Sequence, residues 1–195
     1  MKQPTDSKCR MCCTAGEHIQ HTVLVCTTLA PSEYTNRLNK MAGYIQNGQY
    51  VNIWGYRLLK STMNMYLKGS QIQQYHIIMC DVLVITDWIL VNWPDIVLHD
   101  KKREDLLLID TAIPDDSNIN TKETEKLSKY KDMETEVSRM WKVRTEVVSI
   151  TNGALDTIKK GLDQKHQLLP SHLLAIELQK ITLMCTAHII RKVLG

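Results

Sequence analysis

Apolar residues along this chain change their period several times, and each change predicts an element. Between Pro31 and Gln46, Tyr34, Leu38, Met41 and Ile45 recur at intervals of three and four, and APSE places a proline near the first turn. That spacing predicts a helix over 31–46. Residues 47–70 mix aromatics with Gly48, Gly55 and Gly69 and predict no regular element. Tyr75–Val84 is strongly apolar and β-branched, which predicts a strand or a strand pair. In WPDIVLHDKKREDLLLID, two apolar runs at 95–100 and 105–110 flank Lys101, Lys102, Arg103 and Glu104. This is the pattern of an antiparallel hairpin with a four-residue connection. A turn cluster at Pro114–Asn118 precedes a long helical pattern from Thr121 to Lys142, in which Leu127, Tyr130, Met133, Val137, Met140 and Trp141 form the apolar stripe. Val143–Ile150 reads as a further strand, followed by Asn152-Gly153 and a short helix from Ala154. After Pro170, a last helix fits Leu173–Leu194, with Lys180, Arg191 and Lys192 on its polar side. Strand, strand, helix and strand in that order predict an α/β (α+β) layer arrangement. No internal repeat or low-complexity segment interrupts it.

Composition narrows the class only a little. The 195 residues have room for one substantial domain and a small appended module. Lys and Arg number 24 against 21 Asp and Glu, a net charge of +3. A mild excess of that kind permits a nucleic-acid partner only through a local basic face. No apolar run reaches the roughly 18–20 residues that a membrane helix needs, and MKQPTDSKCR lacks the apolar stretch of a signal peptide. The chain is therefore expected to work inside the cell, in the nucleus or cytoplasm and away from membranes. Four of its six cysteines crowd into the first 26 residues, and in a reducing compartment such crowding favours metal ligation over disulfides.

Cys9, Cys12, His21 and Cys26 give the spacing C-x2-C-x8-H-x4-C. A close cysteine pair, a loop, and a second pair of His and Cys let a short segment wrap a tetrahedral zinc ion, whose binding supplies the folding energy that so few apolar residues cannot. His18 and Cys13 are rival ligands. His21 is preferred because its spacing to Cys26 lets one helical turn present both side chains. The competing reading is a set of free cysteines on a frayed terminus.

The hairpin carries a second candidate centre. If position 100 lies opposite 105, then Asp95 lies opposite Asp110, and directly opposed residues share a face at about 4.5–5.5 Å between Cβ atoms. Two carboxylates that close repel unless a cation lies between them, and such pairs hold hard divalent ions for phosphodiester cleavage. The helix that follows brings Lys126, Lys129 and Tyr130 onto neighbouring positions. A lysine there could orient the attacking water or neutralise the phosphate. Against this stands the frequency of aspartates as turn formers beside strands. Lys122, Lys126, Lys129 and Lys131 could likewise simply solvate a helix balanced by Glu123, Glu125, Glu134 and Glu136, with Tyr130 in the buried stripe.

Taken together, CRMC…HTVLVC, LAPSEYTNR, PDIVLHD, LLLIDTAIPDD, EKLSKY and SRMWKVR resemble the C-terminal end of reverse transcriptases from site-specific retrotransposons lacking long terminal repeats. That region joins a zinc knuckle to a restriction-like endonuclease of the PD-(D/E)XK type, and the motifs run in its order from residue 9 to about residue 162, with PD-x14-D spacing. The resemblance divides the chain into a CCHC zinc module at 1–30, a helical or irregular connector at 31–74, a restriction-like core at 75–165 and a C-terminal helix at 166–195. It implies structural Zn²⁺ on Cys9, Cys12, His21 and Cys26, and Mg²⁺ or Mn²⁺ on Asp95 and Asp110. Lys126 and Lys129, with Tyr130, would replace the lysine that restriction enzymes carry where this chain has Ala112. It further implies DNA nicking for target-primed reverse transcription, with double-stranded DNA and the element's RNA as partners. Three departures stand out: Trp93 replaces the usual basic residue before the Pro-Asp pair, SQIQQYH lacks the acidic residues of the preceding helix, and no polymerase palm precedes the module. They predict a truncated copy in which the fold is better kept than the catalysis. The rival functions are a nucleic-acid-binding zinc module that cuts nothing, and a remnant that does neither.

Overall fold

The computed structural model describes residues 8–54, 69–72, 76–80, 94–155 and 175–195. Among the described residues, three long helices accompany one sheet: α1 at Thr35–Trp54, α2 at Ile119–Trp141 and α3 at Ala175–Leu194. The sheet has five strands in sequence order: β1 (Gly69–Ile72), β2 (His76–Cys80), β3 (Ile96–Asp100), β4 (Asp105–Ala112) and β5 (Arg144–Thr151). The first three pairings are antiparallel, and β4–β5 is parallel, with α2 as the crossover that a parallel pair requires. The chain is thus a mixed α/β fold.

The register follows from the apolar runs. β3 and β4 pair Ile96 with Ile109 through to Asp100 with Asp105. The connection is closed by the Asp100 carboxylate, which accepts from the amides of Lys102 and Arg103 at 2.9 and 3.2 Å. Glu104 completes it in the left-handed region at φ 56°. Beyond β4, Asp115 accepts from the amide and hydroxyl of Ser117 and begins a 3₁₀ turn at Asp116–Asn118 that leads into α2. Lys142, at φ 53°, ends that helix.

Both faces of the sheet are covered. On one, Ile96, Leu98, Ile109, Val148 and Ile150 pack with Met41 and Ile45 of α1 and Leu178 of α3. On the other, Val97, Leu106 and Leu108 meet Tyr130, Met133 and Val137 of α2. Alternation along β4 and β5 therefore puts Asp110 and Ser149, which are ladder partners, on the α2 side.

Three expectations shift. α1 continues past Gln46 through Gly48 to Trp54; one helical glycine costs only about 1 kcal/mol relative to alanine, too little to break a helix anchored by packing. The inward stripe of α2 is Ile119, Glu123, Tyr130, Met133 and Val137, whereas Leu127, Met140 and Trp141 are exposed. The face is set by which residues sit over β4, and Leu127 lies roughly 80° around the helix from its centre, at the edge of that face. Third, Gly69–Ile72 forms an edge strand where no element was expected. Trp93, the part of the Tyr75–Val84 strand beyond Cys80, and the helix expected from Ala154, past Leu155, lie outside the described residues.

Candidate functional site

Two groups of reactive side chains form, one in the N-terminal cysteine module and one on the α2 face of the sheet. In the first, a tight knuckle presents Cys9 and Cys12. The Cys9 amide donates to Ala15 O at 2.7 Å, Lys8 bridges Gly16, and Cys13 turns left-handed at φ 58° with its side chain exposed. The other pair sits on a π-helical turn at His21–Val25, where the Cys26 amide donates to His21 O at 2.9 Å. An α-turn aligns residues four apart; this i→i+5 turn aligns His21 with Cys26, five apart. The expected helical turn is thus a π-turn, and the x4 spacing has its physical reason.

The ligand atoms of Cys9, Cys12, His21 and Cys26 all lie within 4.8 Å of one another. Cys9 Sγ is 3.9 Å from Cys26 Sγ, and Cys12 Sγ is 3.3 Å from His21 Nε2. Metal–sulfur bonds of about 2.3 Å in a tetrahedron put ligand atoms about 3.8 Å apart, so this group can hold a metal ion. His18 is turned elsewhere: its Nδ1 accepts from the His21 amide at 2.9 Å. Hydrogen bonding from Thr14 holds the Cys12 thiol down at about 5, which makes it a thiolate at neutral pH, the metal-binding form. Burial pushes the Cys26 thiol up.

Residues outside the ligand spacing hold this module. Tyr34 Oη accepts from the Cys26 amide at 3.0 Å and donates to Thr22 O at 2.7 Å. Arg37, buried, reaches Val23 O at 3.0 Å and Thr186 Oγ1 of α3 at 2.9 Å. Glu33 receives Lys192 Nζ at 2.6 Å. Cys9, Cys26 and Leu29 share an apolar cluster with Ile189 and Val193 of α3. Sequence reasoning passed over Arg37, although it falls one helical turn before Met41 and two before Ile45 on the buried face of α1.

The second group lies on the α2 face of the sheet. Asp110 is 2% exposed, and two α2 residues converge on it, with a third behind them. Lys126 Nζ stands 2.8 Å from Oδ2 and 3.1 Å from Oδ1, and the Tyr130 hydroxyl donates to Oδ1 at 2.8 Å. Lys129 enters through Tyr130, donating to its hydroxyl at 3.3 Å, with the ammonium 4.7 Å from the ring centroid. Asp95 stands one step beyond the Ile96–Ile109 pair, the position opposite Asp110. Its Oδ2 accepts from the Thr111 amide at 2.7 Å and from the Thr111 hydroxyl. Burial and then the charge of Asp110 raise the Asp95 carboxyl above the ordinary carboxylate range, against the Thr111 hydrogen bonds and Lys126. Burial and the same carboxylate push the Tyr130 phenol far up, so it stays protonated and acts as a donor.

Two further residues belong to this region. Thr111 anchors Asp95, a role that no spacing signals. Glu123, counted above among solvating charges, is 4% exposed on the inward face of α2, one turn before Lys126. Lys122 and Lys131 are exposed and pair with Glu125 and Glu134 at 2.6 and 2.9 Å. No helix of the described residues is long and apolar enough to cross a membrane. No family model matches the chain, and no curated protein matches it in sequence.

Proposed function

We propose that this chain is a divalent-metal-dependent DNA endonuclease domain of the restriction-like kind, bearing a structural zinc module and serving to nick target DNA for reverse transcription. The observation that carries the reading is the convergence of Lys126 and Tyr130 on buried Asp110, at the end of a hairpin whose opposite position is Asp95. Two neighbouring carboxylates, one of them raised by burial and then by the other's charge, are a donor set that a cation relieves. Asp95 and Asp110 would hold Mg²⁺ or Mn²⁺, which supplies a polarised phosphate and an activated water when bound. The protein's own residues do the positioning. Tyr130, always protonated, fixes the Asp110 carboxylate. Lys126, 29% exposed, is the cation that can turn from Asp110 towards a phosphate. Zn²⁺ fits the three-thiolate, one-imidazole set of Cys9, Cys12, Cys26 and His21, in a module too small to fold on apolar burial alone.

Plasmid nicking with Mg²⁺ tests this directly, with wild type beside Asp110→Ala. Nicking by the wild type alone is expected. No nicking by either protein would overturn it and leave a module that binds nucleic acid without cutting; equal nicking by both would overturn the role given to Asp110.

A further inference from the structure

A groove of about 600 Å³ opens between the cysteine module and the N-terminal part of α2. Leu24 and Val25 of the module and Leu38 of α1 form one wall; Ile113, just past β4, faces them; Lys122 and Lys126 close the α2 side. It meets the aspartate region at Lys126 and Thr111, which belong to both. Its size suits a small ligand or one projecting group, since binding pockets run from about 300 to 1,000 Å³.

We infer that this groove takes an unpaired nucleotide of a DNA strand, its base against the aliphatic walls and its phosphate at Lys122 and Lys126. The inference rests on the nucleic-acid reading above and narrows it to DNA that is single-stranded or locally melted. The wall chemistry makes the choice. Apolar side chains complement the face of a base, and in an intact duplex those faces are buried in the stack. Gln20, Ser117 and Asn118 in the same lining offer hydrogen bonds to the edge of a base that has left its pair. Charge sets the orientation. Asp115 also lines the groove, and hydrogen bonds from Ser117 hold its carboxyl below the usual range, so it stays ionised and repels a phosphate from its own part of the lining. Lys122 is held by an exposed pair with Glu125, of the kind worth little and easily exchanged for a phosphate. The module would then be a wall of the substrate path as well as a fold stabiliser.

The test measures binding of zinc-loaded protein, without magnesium, to a labelled oligothymidine and to the same strand fully paired. The expected result is tighter binding of the single strand by about tenfold or more. Val25→Asp, a change at a position 64% exposed, should remove most of that preference while thermal melting stays unchanged. Lys122→Ala should lower the salt dependence of single-strand binding by about one counterion. Equal or tighter duplex binding, or a preference untouched by both substitutions, would overturn the groove assignment. Duplex preference with Mg²⁺-dependent nicking would remove the groove and leave the nuclease; strand preference without nicking would do the reverse.

Discussion

The cysteine module gathers its ligands between Cys9 and Cys26, whereas the aspartate site draws Asp95, Asp110 and Lys126 from a hairpin and the helix that follows it. Their supports are reversed. The module's apolar contacts come from Ile189 and Val193 at the far end of the chain, while the aspartates stand on strands buried by neighbouring elements. A group gathered within one short segment can thus depend on a distant helix, and a group drawn from two strands and a helix can rest on a continuous ladder. The comparison teaches that chemistry and stability are separable: the module should fail as a folding unit, and the aspartate site should fail as chemistry.

The largest test removes the metal. Cys9→Ser with Cys12→Ser should drop zinc from about one per chain to none, and structural zinc contributes on the order of 10 kcal/mol or more to such modules. Amide exchange within Ala175–Leu194 should then rise by about tenfold or more, because Ile189 and Val193 lose their cover, while α2 and β4 keep their protection. Equal loss in α2 would mean that the two regions unfold together. Next comes Asp110→Ala, expected to cut nicking by on the order of a hundredfold or more. Its stability cost should be about 1–3 kcal/mol, since the buried Tyr130 hydroxyl loses its acceptor; denaturant melts check this.

Much of this comparison was legible in the sequence, for different reasons in each half. The module could be read because ligand spacing is a local code, although the π-turn that explains x4 between His21 and Cys26 could not. The hairpin register could be read because it propagates from a four-residue connection, and Asp100 does stand opposite Asp105, as Ile96 does Ile109. Arg37, Glu33 and Thr111 were not legible. Each acts through a contact with a distant partner, such as Thr186, Lys192 or Asp95, and no spacing along the chain encodes those meetings. Glu123 misled for the opposite reason: charge suggested solvent, and the packing face of α2 decided otherwise.

Tyr130→Phe sharpens the chemistry side. It removes the donor to Asp110 Oδ1 while keeping the ring in its cluster, so the loss of stability should be about 1 kcal/mol by thermal melting. Nicking should fall severalfold, well short of Asp110→Ala, because Lys126 still holds the carboxylate. A loss as complete as that of Asp110→Ala would place Tyr130 at the reacting phosphate.

The smallest effect is the titration of Asp95. Its carboxyl is raised in the fold, first by burial and then by Asp110, so the folded state holds this proton more tightly than the unfolded chain does. The contribution is therefore fully present below the unfolded value, near pH 3.9, and declines as pH rises through the raised folded value. Asp95→Asn should flatten that decline, since the amide oxygen still accepts from the Thr111 amide and hydroxyl while carrying no charge beside Asp110. Urea melts of both proteins between about pH 4 and pH 7 measure the difference, which should grow with pH. Added Mg²⁺ should shrink it in the wild type alone, because a cation between the carboxylates cancels the repulsion that raises Asp95. A pH dependence identical in the two proteins would mean that Asp95 is spent on capping Thr111 and takes no part in a carboxylate pair.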